Sequence, residues 1–231
     1  MVIIAHRGAS GYVRENTLEA FEKAIELGAD MVEFDVRKTA DEKLVLFHDP
    51  EIEGKDIARI KYQELLKISE RQDFHVPTLE ETLKFLQGRT KLDVEIKEEG
   101  YEREAIDLIL KYFDKKDFIV VSFKEKVIEC VKKNFPDVKA GLLLGHKAPK
   151  NFVRAIVLCL REIFPFFRIK KFGVDFVDVH WKLALIPFYM KVFKFMELPV
   201  IVWTLDDPKI AKYLAKHGHL IAITTNYPNR K

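Results

Sequence analysis

The chain is 231 residues long, with 48% hydrophobic and 32% charged residues, a composition that excludes a disordered chain and a small disulfide-stapled scaffold. The 39 Lys and Arg residues nearly balance the 36 Asp and Glu residues, and the signs alternate along the chain, so we expect no nucleic-acid binding. The cysteines, Cys130 and Cys159, are too few for a disulfide framework or a thiolate zinc site and are interpreted as buried thiols.

The start of the chain and its apolar runs predict a cytoplasmic protein. Met1–His6 lacks the basic start and long apolar stretch of a signal peptide. The charge-free runs at 183–190 and 198–205 are far shorter than the ~20 residues that span a bilayer. Few Gln and many Lys, Glu and Ile residues are typical of a thermophile. No linker separates two sets of apolar segments, so we expect one domain over residues 1–231.

Short β-branched runs alternate with longer helical patterns, which indicates β-α units around a parallel sheet. The predicted strands are Val2–His6, Met31–Val36, Leu44–His48, Lys91–Ile96, Phe118–Ser122, Lys139–Leu143, Val174–Val179, Pro199–Thr204 and Leu220–Thr224. The predicted helices are 16–27, 78–87, 101–113, 125–134, 151–164, 182–197 and 207–217. Asn16 is interpreted as the N-cap of the first helix.

One connection, residues 37–43, is too short for a helical crossover and suits a hairpin turn, so we expect Leu44–His48 to pair antiparallel with the second strand. The remaining eight strands are the number that closes a (β/α)8 TIM barrel. Only residues 226–231 follow the last strand. The sequence therefore predicts a TIM barrel with an extra hairpin strand and a last outer helix that is missing or reduced to a turn.

Polar and apolar side chains alternate along two barrel strands. Glu33 and Asp35 share one face of the second strand, and Asp93, Glu95 and Lys97 share one face of the next barrel strand. If the apolar faces pack under helices, these carboxylates point into the barrel mouth, where TIM barrels carry their functional groups. Several negative charges at close quarters need a cation, and carboxylate ligands favour Mg²⁺ or Ca²⁺ over zinc.

Two histidines are predicted to flank this cation. His6 ends the first strand, and a hairpin turn centred between residues 40 and 41 would set His48 opposite Glu33. Two imidazoles beside a cation can act as general base and general acid near neutral pH. Arg7, next to His6, is suited to a phosphate or carboxylate oxygen.

A set of different short motifs extends over nearly the whole chain. They are His6-Arg7-Gly8-Ala9, Glu15-Asn16-Thr17, Gly28-Ala29-Asp30, Glu33-Phe34-Asp35-Val36, His48-Asp49, Val76-Pro77-Thr78-Leu79-Glu80-Glu81, Glu95-Ile96-Lys97, Ser122-Phe123 and Val202-Trp203-Thr204. In residues, order and spacing this set resembles the glycerophosphodiester phosphodiesterase family.

The resemblance implies a TIM-barrel hydrolase that uses one divalent cation, Mg²⁺, Ca²⁺ or Mn²⁺, to cut a small glycerophosphodiester into sn-glycerol 3-phosphate and an alcohol. The residues that match are His6 and His48 as the acid–base pair, Glu33, Asp35 and Glu95 as metal ligands, and Arg7 and Lys97 as phosphate contacts. Trp203 lies near a strand end, where it would contact the glycerol or the alcohol group or only plug the barrel. Which histidine is the base, and whether water or the glycerol 2-hydroxyl attacks first, stays open.

The chain departs from the family pattern in three places. Arg14 stands where the family usually has Pro before Glu-Asn-Thr. Asn226 follows Thr225 where the family commonly has Asp, which questions the role of a carboxylate there. The segment at about 50–75 is short and replaces a Thr/Gly-rich stretch, so we expect a reduced substrate-covering insertion.

The stretches 152–169 and 181–198 are rich in Phe, Ile and Leu with interspersed Lys and Arg. We interpret them as outer barrel helices. The alternative is peripheral contact with a membrane, in which case the same site would act as a lysophospholipase D on lysophospholipids. A third hypothesis is a catalytically silent barrel that binds a ligand. The sequence does not indicate the oligomeric state.

Overall fold

The computed structural model describes residues 1–145, 165–217 and 220–229. The strands of this part of the chain are β1 (Val2–Ala5), β2 (Met31–Lys38), β3 (Leu44–Leu46), β4 (Glu51–Ile52), β5 (Lys55–Asp56), β6 (Lys91–Ile96), β7 (Phe118–Ser122), β8 (Lys139–Leu144), β9 (Phe176–His180), β10 (Val200–Trp203) and β11 (Leu220–Thr225). Eight of these described strands pair in parallel in the order β1-β2-β6-β7-β8-β9-β10-β11, and β11 returns to β1. The predicted TIM barrel is confirmed.

The hairpin strand β3 lies outside this ring, as predicted. It pairs antiparallel with the far end of β2, whereas β1 pairs with Met31 and Val32 at the near end. The predicted register is wrong by one residue, since Arg37 faces Val45. The turn centres on residue 41 rather than between 40 and 41, because Glu42 takes the left-handed conformation (φ 62°).

The helices of the described residues are α1 (Leu18–Glu26), α2 (Tyr62–Glu70), α3 (Leu79–Leu86), α4 (Glu102–Ile109), α5 (Glu125–Asn134), α6 (Phe166–Phe172), α7 (Trp181–Ala184), α8 (Pro187–Phe195) and α9 (Pro208–His217). The predicted helix 151–164 lies outside the described residues. The single helix predicted over 182–197 is wrong. Pro187 cannot donate a backbone hydrogen bond within a helix, so it begins α8 after a break.

Residues 50–75 form a small subdomain-like insertion between β3 and α3. It contains the β4–β5 hairpin, a 3₁₀ turn at Ile57–Arg59 and α2, of which α2 was not predicted. Its apolar side chains pack together against Val45 of β3; they are Ile52, Ile57, Ile60, Leu65, Ile68 and Val76. Residues 226–229, after β11, contain no helix.

The barrel strands bury both of their faces. The outward side chains Val32, Phe34 and Val36 are fully buried, as expected for positions under helices. The inward apolar side chains form a second cluster of Ile4, Val121, Leu143, Phe176, Ile201 and Ala222. Gly141 leaves room for Phe176, because a Cβ there would come within 2.1 Å of its ring. No helix of the described residues is both long and apolar enough to cross a membrane.

Candidate active site

The barrel mouth contains a cavity of about 470 Å³ at the carboxyl ends of the strands. One side, here called the charged wall, carries His6, Arg7, Glu33, His48 and Glu95. The opposite side, here called the apolar wall, carries Val121, Phe123, Leu143, Gly145, His180 and Trp203. Asp178 and Thr224 also line the cavity. Reactive groups and an apolar surface therefore face the same space.

Three predicted metal ligands converge at the charged wall. Oxygens of Glu33, Asp35 and Glu95 lie within 4.8 Å of one another, and all three residues are buried. The convergence follows from parallel pairing, which sets Glu33 beside Asp93 and Asp35 beside Glu95 across β2 and β6.

Asp35 is the most heavily bonded of the three carboxylates. Its oxygens lie 3.0 Å from Lys97 Nζ and 3.1 Å from Arg7 Nε, and the Asn16 amide donates to it at 2.8 Å. Burial alone would raise the pKa of Asp35, but Lys97 and Arg7 hold it well below its usual range. Asp35 is therefore a permanent anion between two cations.

Glu33 and Glu95 show the opposite shift. Burial and the charge of Asp35 raise the pKa of Glu33 well above its usual range. Burial also raises the pKa of Glu95 to about 7, although Lys97, 2.8 Å away, opposes the shift. Crowded carboxylates of this kind are stabilised by a cation, and a set of three carboxylates fits a hard divalent ion such as Mg²⁺ or Ca²⁺.

Asp93 and Asp178 lie buried inside the barrel. Neither Asp93 oxygen has a hydrogen-bond partner among the described residues. Burial and the neighbouring Glu95 raise the pKa of Asp93 to about 8, so it is mostly a neutral acid at pH 7. Burial, together with Asp93, also raises the pKa of Asp178. Asp93, which the sequence placed on the same face as Glu95, lies outside the converging set of three.

Arg7 joins the strand end to the carboxylates by its backbone as well as its side chain. Its left-handed conformation (φ 53°) brings its N–H 2.7 Å from Glu33 Oε2. Its guanidinium donates to Glu15 at 2.9 Å. Gly8 follows with φ 80°, and a Cβ there would lie 2.6 Å from the backbone of Ala20. The His-Arg-Gly motif thus forms a strained turn that orients Arg7.

His6 is held by residues from the turn after β11 and the loop before α9. Its Nδ1 lies 2.7 Å from Asn226 Oδ1, and the Asn226 amide donates to Asp206 Oδ2 at 2.6 Å. Burial and the charge of Arg7 lower the pKa of His6 to about 4, although the Asn226 bond opposes them. His6 is therefore neutral at physiological pH.

His48 does not reach the cavity through the predicted pairing with Glu33. The pairing of β3 with β2 ends at Leu46. Arg37 then donates to the His48 carbonyl at 3.0 Å and holds the turn that contains His48 at the barrel mouth. Its Nδ1 lies 2.8 Å from Asp49 Oδ1. Burial lowers the pKa of His48, while Asp35 opposes the shift.

Trp203 anchors the apolar wall. Its indole N–H donates to the Asp178 carbonyl at 3.1 Å. Its ring meets Phe123 and His180 edge-on, with centroids 5.6 and 5.0 Å away. Since its only hydrogen-bond donor is used internally, Trp203 offers the cavity apolar contact. A Cβ on Gly145 would come within 2.3 Å of His180 Cβ, so this glycine lets His180 lie at the wall.

The structure brings the eight predicted site residues to one rim, with a division among them. Asp35, although a member of the carboxylate cluster, does not line the cavity, and neither does Lys97. Lys97, predicted to contact phosphate, is occupied by Asp35 and Glu95. The functional roles of all eight stay predictions.

Asn16, Asp206 and Asn226 contribute to the site without having been predicted to do so. Asn16 was interpreted as a helix cap, which is wrong, because Thr17 Oγ1 accepts from Ala20 and caps α1. Asn16 instead has φ 57° and binds both the carboxylate and the backbone of Asp35. Its motif Glu-Asn-Thr was the available signal.

Comparison with known proteins agrees with this geometry. The model of the glycerophosphoryl diester phosphodiesterase family matches residues 6–230. A glycerophosphodiester phosphodiesterase of Caldanaerobacter subterraneus subsp. tengcongensis is 32% identical over 184 residues, which are 72% of this chain and 76% of that protein. YhdW of Bacillus subtilis is 32% identical over 159 residues, 62% of this chain and 65% of YhdW. The chain thus spans about two thirds of YhdW.

Two further matches bear on substrate and fold. The protein named Lysophospholipase D GDPD1 of Homo sapiens is 30% identical over 128 residues, 47% of this chain and 41% of that protein. The crystal structure of a glycerophosphodiester phosphodiesterase from Parabacteroides distasonis superposes with a TM-score of 0.77 at 28% identity, covering 98% of this chain and 93% of that one. The chain belongs to the glycerophosphoryl diester phosphodiesterase family, a family of phosphoric diester hydrolases with the TIM-barrel fold.

Proposed function

We propose that the protein hydrolyses small glycerophosphodiesters to sn-glycerol 3-phosphate and an alcohol, with the help of one divalent cation. The observation that carries this proposal is the convergence of His6, His48, Glu33 and Glu95 on one cavity at the barrel mouth, with Asp35 grouped beside the two glutamates. A phosphodiester needs charge stabilisation and proton transfer at both ends of the bond that breaks. The charged wall offers groups for both.

We assign the proton transfers by the surroundings of the two imidazoles. His6 lies beside Arg7 and a neutral amide, and its low pKa leaves it unprotonated, so it can take a proton from the attacking hydroxyl. His48 lies beside the Asp49 carboxylate, which favours the imidazolium that gives a proton to the departing alkoxide. Arg7 lines the cavity and offsets charge on the phosphoryl oxygens.

Glu33, Asp35 and Glu95 would hold the cation. When bound, it would withdraw electron density from the phosphoryl group. Lys97, which binds Asp35 and Glu95, would keep these carboxylates oriented. Mg²⁺, Ca²⁺ and Mn²⁺ all take oxygen ligands, so the experiment includes each of them.

The test measures glycerol 3-phosphate release from glycerophosphocholine with each of the three ions and with EDTA. We expect metal-dependent release in the wild type and a melting temperature that rises with the active ion. Glu95→Gln should lose most of both effects, whereas Glu98→Gln, a nearby change outside the carboxylate cluster, should retain them. Release that EDTA leaves unchanged, or a full metal response in Glu95→Gln, would remove the proposed cation site.

A second candidate function, lysophospholipase D activity, is favoured by an exposed apolar segment. Leu185, Ile186, Pro187 and Phe188 follow His180 of the apolar wall by a few residues and are all exposed, Phe188 by 58%. Tyr189, Met190 and Phe193 are buried, as expected if the 181–198 stretch packs on the barrel. The four exposed residues 185–188 do not take part in that packing. Runs of exposed apolar residues flanked by lysines, here Lys182 and Lys191, suit a lipid interface.

Choline release from lysophosphatidylcholine tests this candidate beside glycerophosphocholine. Under it, Ile186→Ser with Phe188→Ser should lower turnover of the lysolipid and leave that of the water-soluble diester unchanged. Ile221→Ser, which changes an apolar residue that is 45% exposed at the start of β11, is the matched control. Equal turnover of the lysolipid by both variants and the wild type would dismiss the segment as a lipid contact.

A further inference from the structure

The hydrogen bonds behind His6 form a chain whose direction is fixed at its far end. Asp206, in the loop between β10 and α9, accepts from the backbone N–H of Asn226 at 2.8 Å, from its amide nitrogen at 2.6 Å and from the Thr225 hydroxyl at 2.9 Å. An ionised carboxylate only accepts hydrogen bonds. The amide nitrogen of Asn226 must therefore face Asp206, and its oxygen must face away from it.

The other end of the amide meets two side chains. Asn226 Oδ1 lies 2.7 Å from His6 Nδ1 and accepts from the Ser10 hydroxyl, also at 2.7 Å. Because an amide oxygen only accepts, His6 Nδ1 must carry the proton. A neutral imidazole has one proton, so Nε2 is left with its lone pair. His6 itself lines the cavity.

We infer that Asp206 and Asn226 are positioning residues that fix His6 as the Nδ1–H tautomer, so that Nε2 is the nitrogen that accepts a proton from the attacking hydroxyl. This inference rests on the proposed function for its catalytic meaning, but the tautomer itself can be read without turnover. It also explains the departure at Asn226. The carboxylate usual at this position of the motif is replaced by an amide, and Asp206 supplies the charge one step further from His6.

The arrangement has a physical advantage beside Arg7. A carboxylate in direct contact with His6 would favour the imidazolium, which cannot act as a base. A neutral amide orients the ring without adding a negative charge. The pKa of His6 falls as a result of burial and Arg7.

The experiment combines ¹⁵N NMR of the histidine side chains with turnover of glycerophosphocholine. The His6 signals are assigned by their loss in His6→Gln. In the wild type at pH 7 we expect the proton on Nδ1. In Asp206→Asn the side chain at position 206 has one acceptor oxygen instead of two for the backbone N–H and the side-chain amide of Asn226. The orientation of the Asn226 amide is then no longer fixed. We expect a tautomer mixture and a fall in kcat of about 10²-fold with little change in KM.

The exchanged pair, Asp206→Asn with Asn226→Asp, supplies the decisive rescue. It keeps an acceptor facing His6 and lets the amide at position 206 donate to the carboxylate at 226, so it should restore Nδ1–H. Because that carboxylate also favours the imidazolium, we expect kcat to recover to within about tenfold only at alkaline pH, where His6 is neutral. Asp207→Asn is the matched control, because Asp207 caps α9 through Lys209 and does not contact Asn226; its kcat should equal that of the wild type.

Three outcomes would overturn the inference. These are a wild-type proton on Nε2, a normal tautomer and kcat in Asp206→Asn, or an exchanged pair that at alkaline pH is no better than Asp206→Asn alone. If a single variant fails to fold, the wild-type spectrum and the exchanged pair still decide. A wild type that shows Nδ1–H but cleaves no diester would instead contradict the proposed function and leave the tautomer assignment intact.

Discussion

The two walls of the cavity differ in how they are held. The charged wall consists of side chains from β2, β6 and the turns after β1 and β3, bonded to one another and to residues behind them, such as Asn16 and Lys97. The apolar wall consists of rings from β9, β10 and the turn after β7 that meet edge-on. Groups that carry charge need fixed partners, whereas rings need only neighbours of the right shape. Substitutions should therefore affect turnover at one wall and binding at the other.

The largest expected effect is on the stability of the charged wall. Asp35→Asn would leave Arg7 and Lys97 buried without their shared anion, at a cost of about 3–5 kcal/mol in the free energy of unfolding. Urea denaturation measures this loss. Asp137→Asn removes an exposed partner of Lys115 and should leave stability unchanged. Equal stability of the two variants would show that Asp35 does not hold the wall together.

Removal of either histidine should act on turnover instead. His6→Ala and His48→Ala should each lower kcat for glycerophosphocholine by about 10²-fold or more, while the melting temperature changes far less than in Asp35→Asn. His75→Ala is the control, because His75 is exposed and lies near Glu81, away from the cavity. Normal kcat in His6→Ala or His48→Ala would exclude that residue from proton transfer.

The apolar wall should respond in KM. Trp203→Ala removes ring contacts that are the same in ground and transition states, so we expect KM to rise about tenfold with kcat within a factor of a few. Trp181→Ala is the matched comparison. It removes the chain's other tryptophan ring, which is half-buried and does not line the cavity, so it should change KM less. If Trp203→Ala instead lowers kcat as far as His48→Ala does, the apolar wall contributes to turnover and not only to substrate binding.

The smallest effect is the pH dependence that comes from His6. Its pKa is about 4 in the folded protein and 6.5 as the ordinary value, so the unfolded chain takes up a proton first as the pH falls. Stability attributable to His6 is complete above pH 6.5, falls between pH 6.5 and 4, and is constant below. Over that interval we expect the wild type to lose more free energy of unfolding than His6→Gln. Parallel pH profiles would contradict this.

Much of the fold was predictable because each barrel strand is a compact apolar run followed by a helical pattern. The charged wall was predictable for a related reason. Glu33, Asp35 and Glu95 interrupt apolar runs at every second residue, and only inward-facing positions near a strand end tolerate such interruptions. The family motifs then gave these positions their expected roles.

The sequence-based predictions that were wrong depended on information that local sequence patterns do not contain. The hairpin register followed from one residue, Glu42, that takes a left-handed conformation. The break in the 182–197 pattern came from Pro187, whose apolar neighbours continue the helical period across it. Leu143 and Phe123 of the apolar wall were indistinguishable from core, because they have the same types as buried residues. Asp206 and Asn226 join His6 only through closure of the barrel.

That closure has a consequence for synthesis. The contact between His6 and Asn226 joins residues 220 positions apart, and β1 gains its β11 neighbour only when residues 222–225 are in place. When only β1 to β10 of a nascent chain have emerged from the ribosome, the chain can bring the three carboxylates together. It has no partner for His6 Nδ1 at that stage. His6, which is proposed to start the reaction, therefore has its Nδ1 partner only once residue 226 is in place, and incomplete chains should gather the carboxylates without being able to cut a diester.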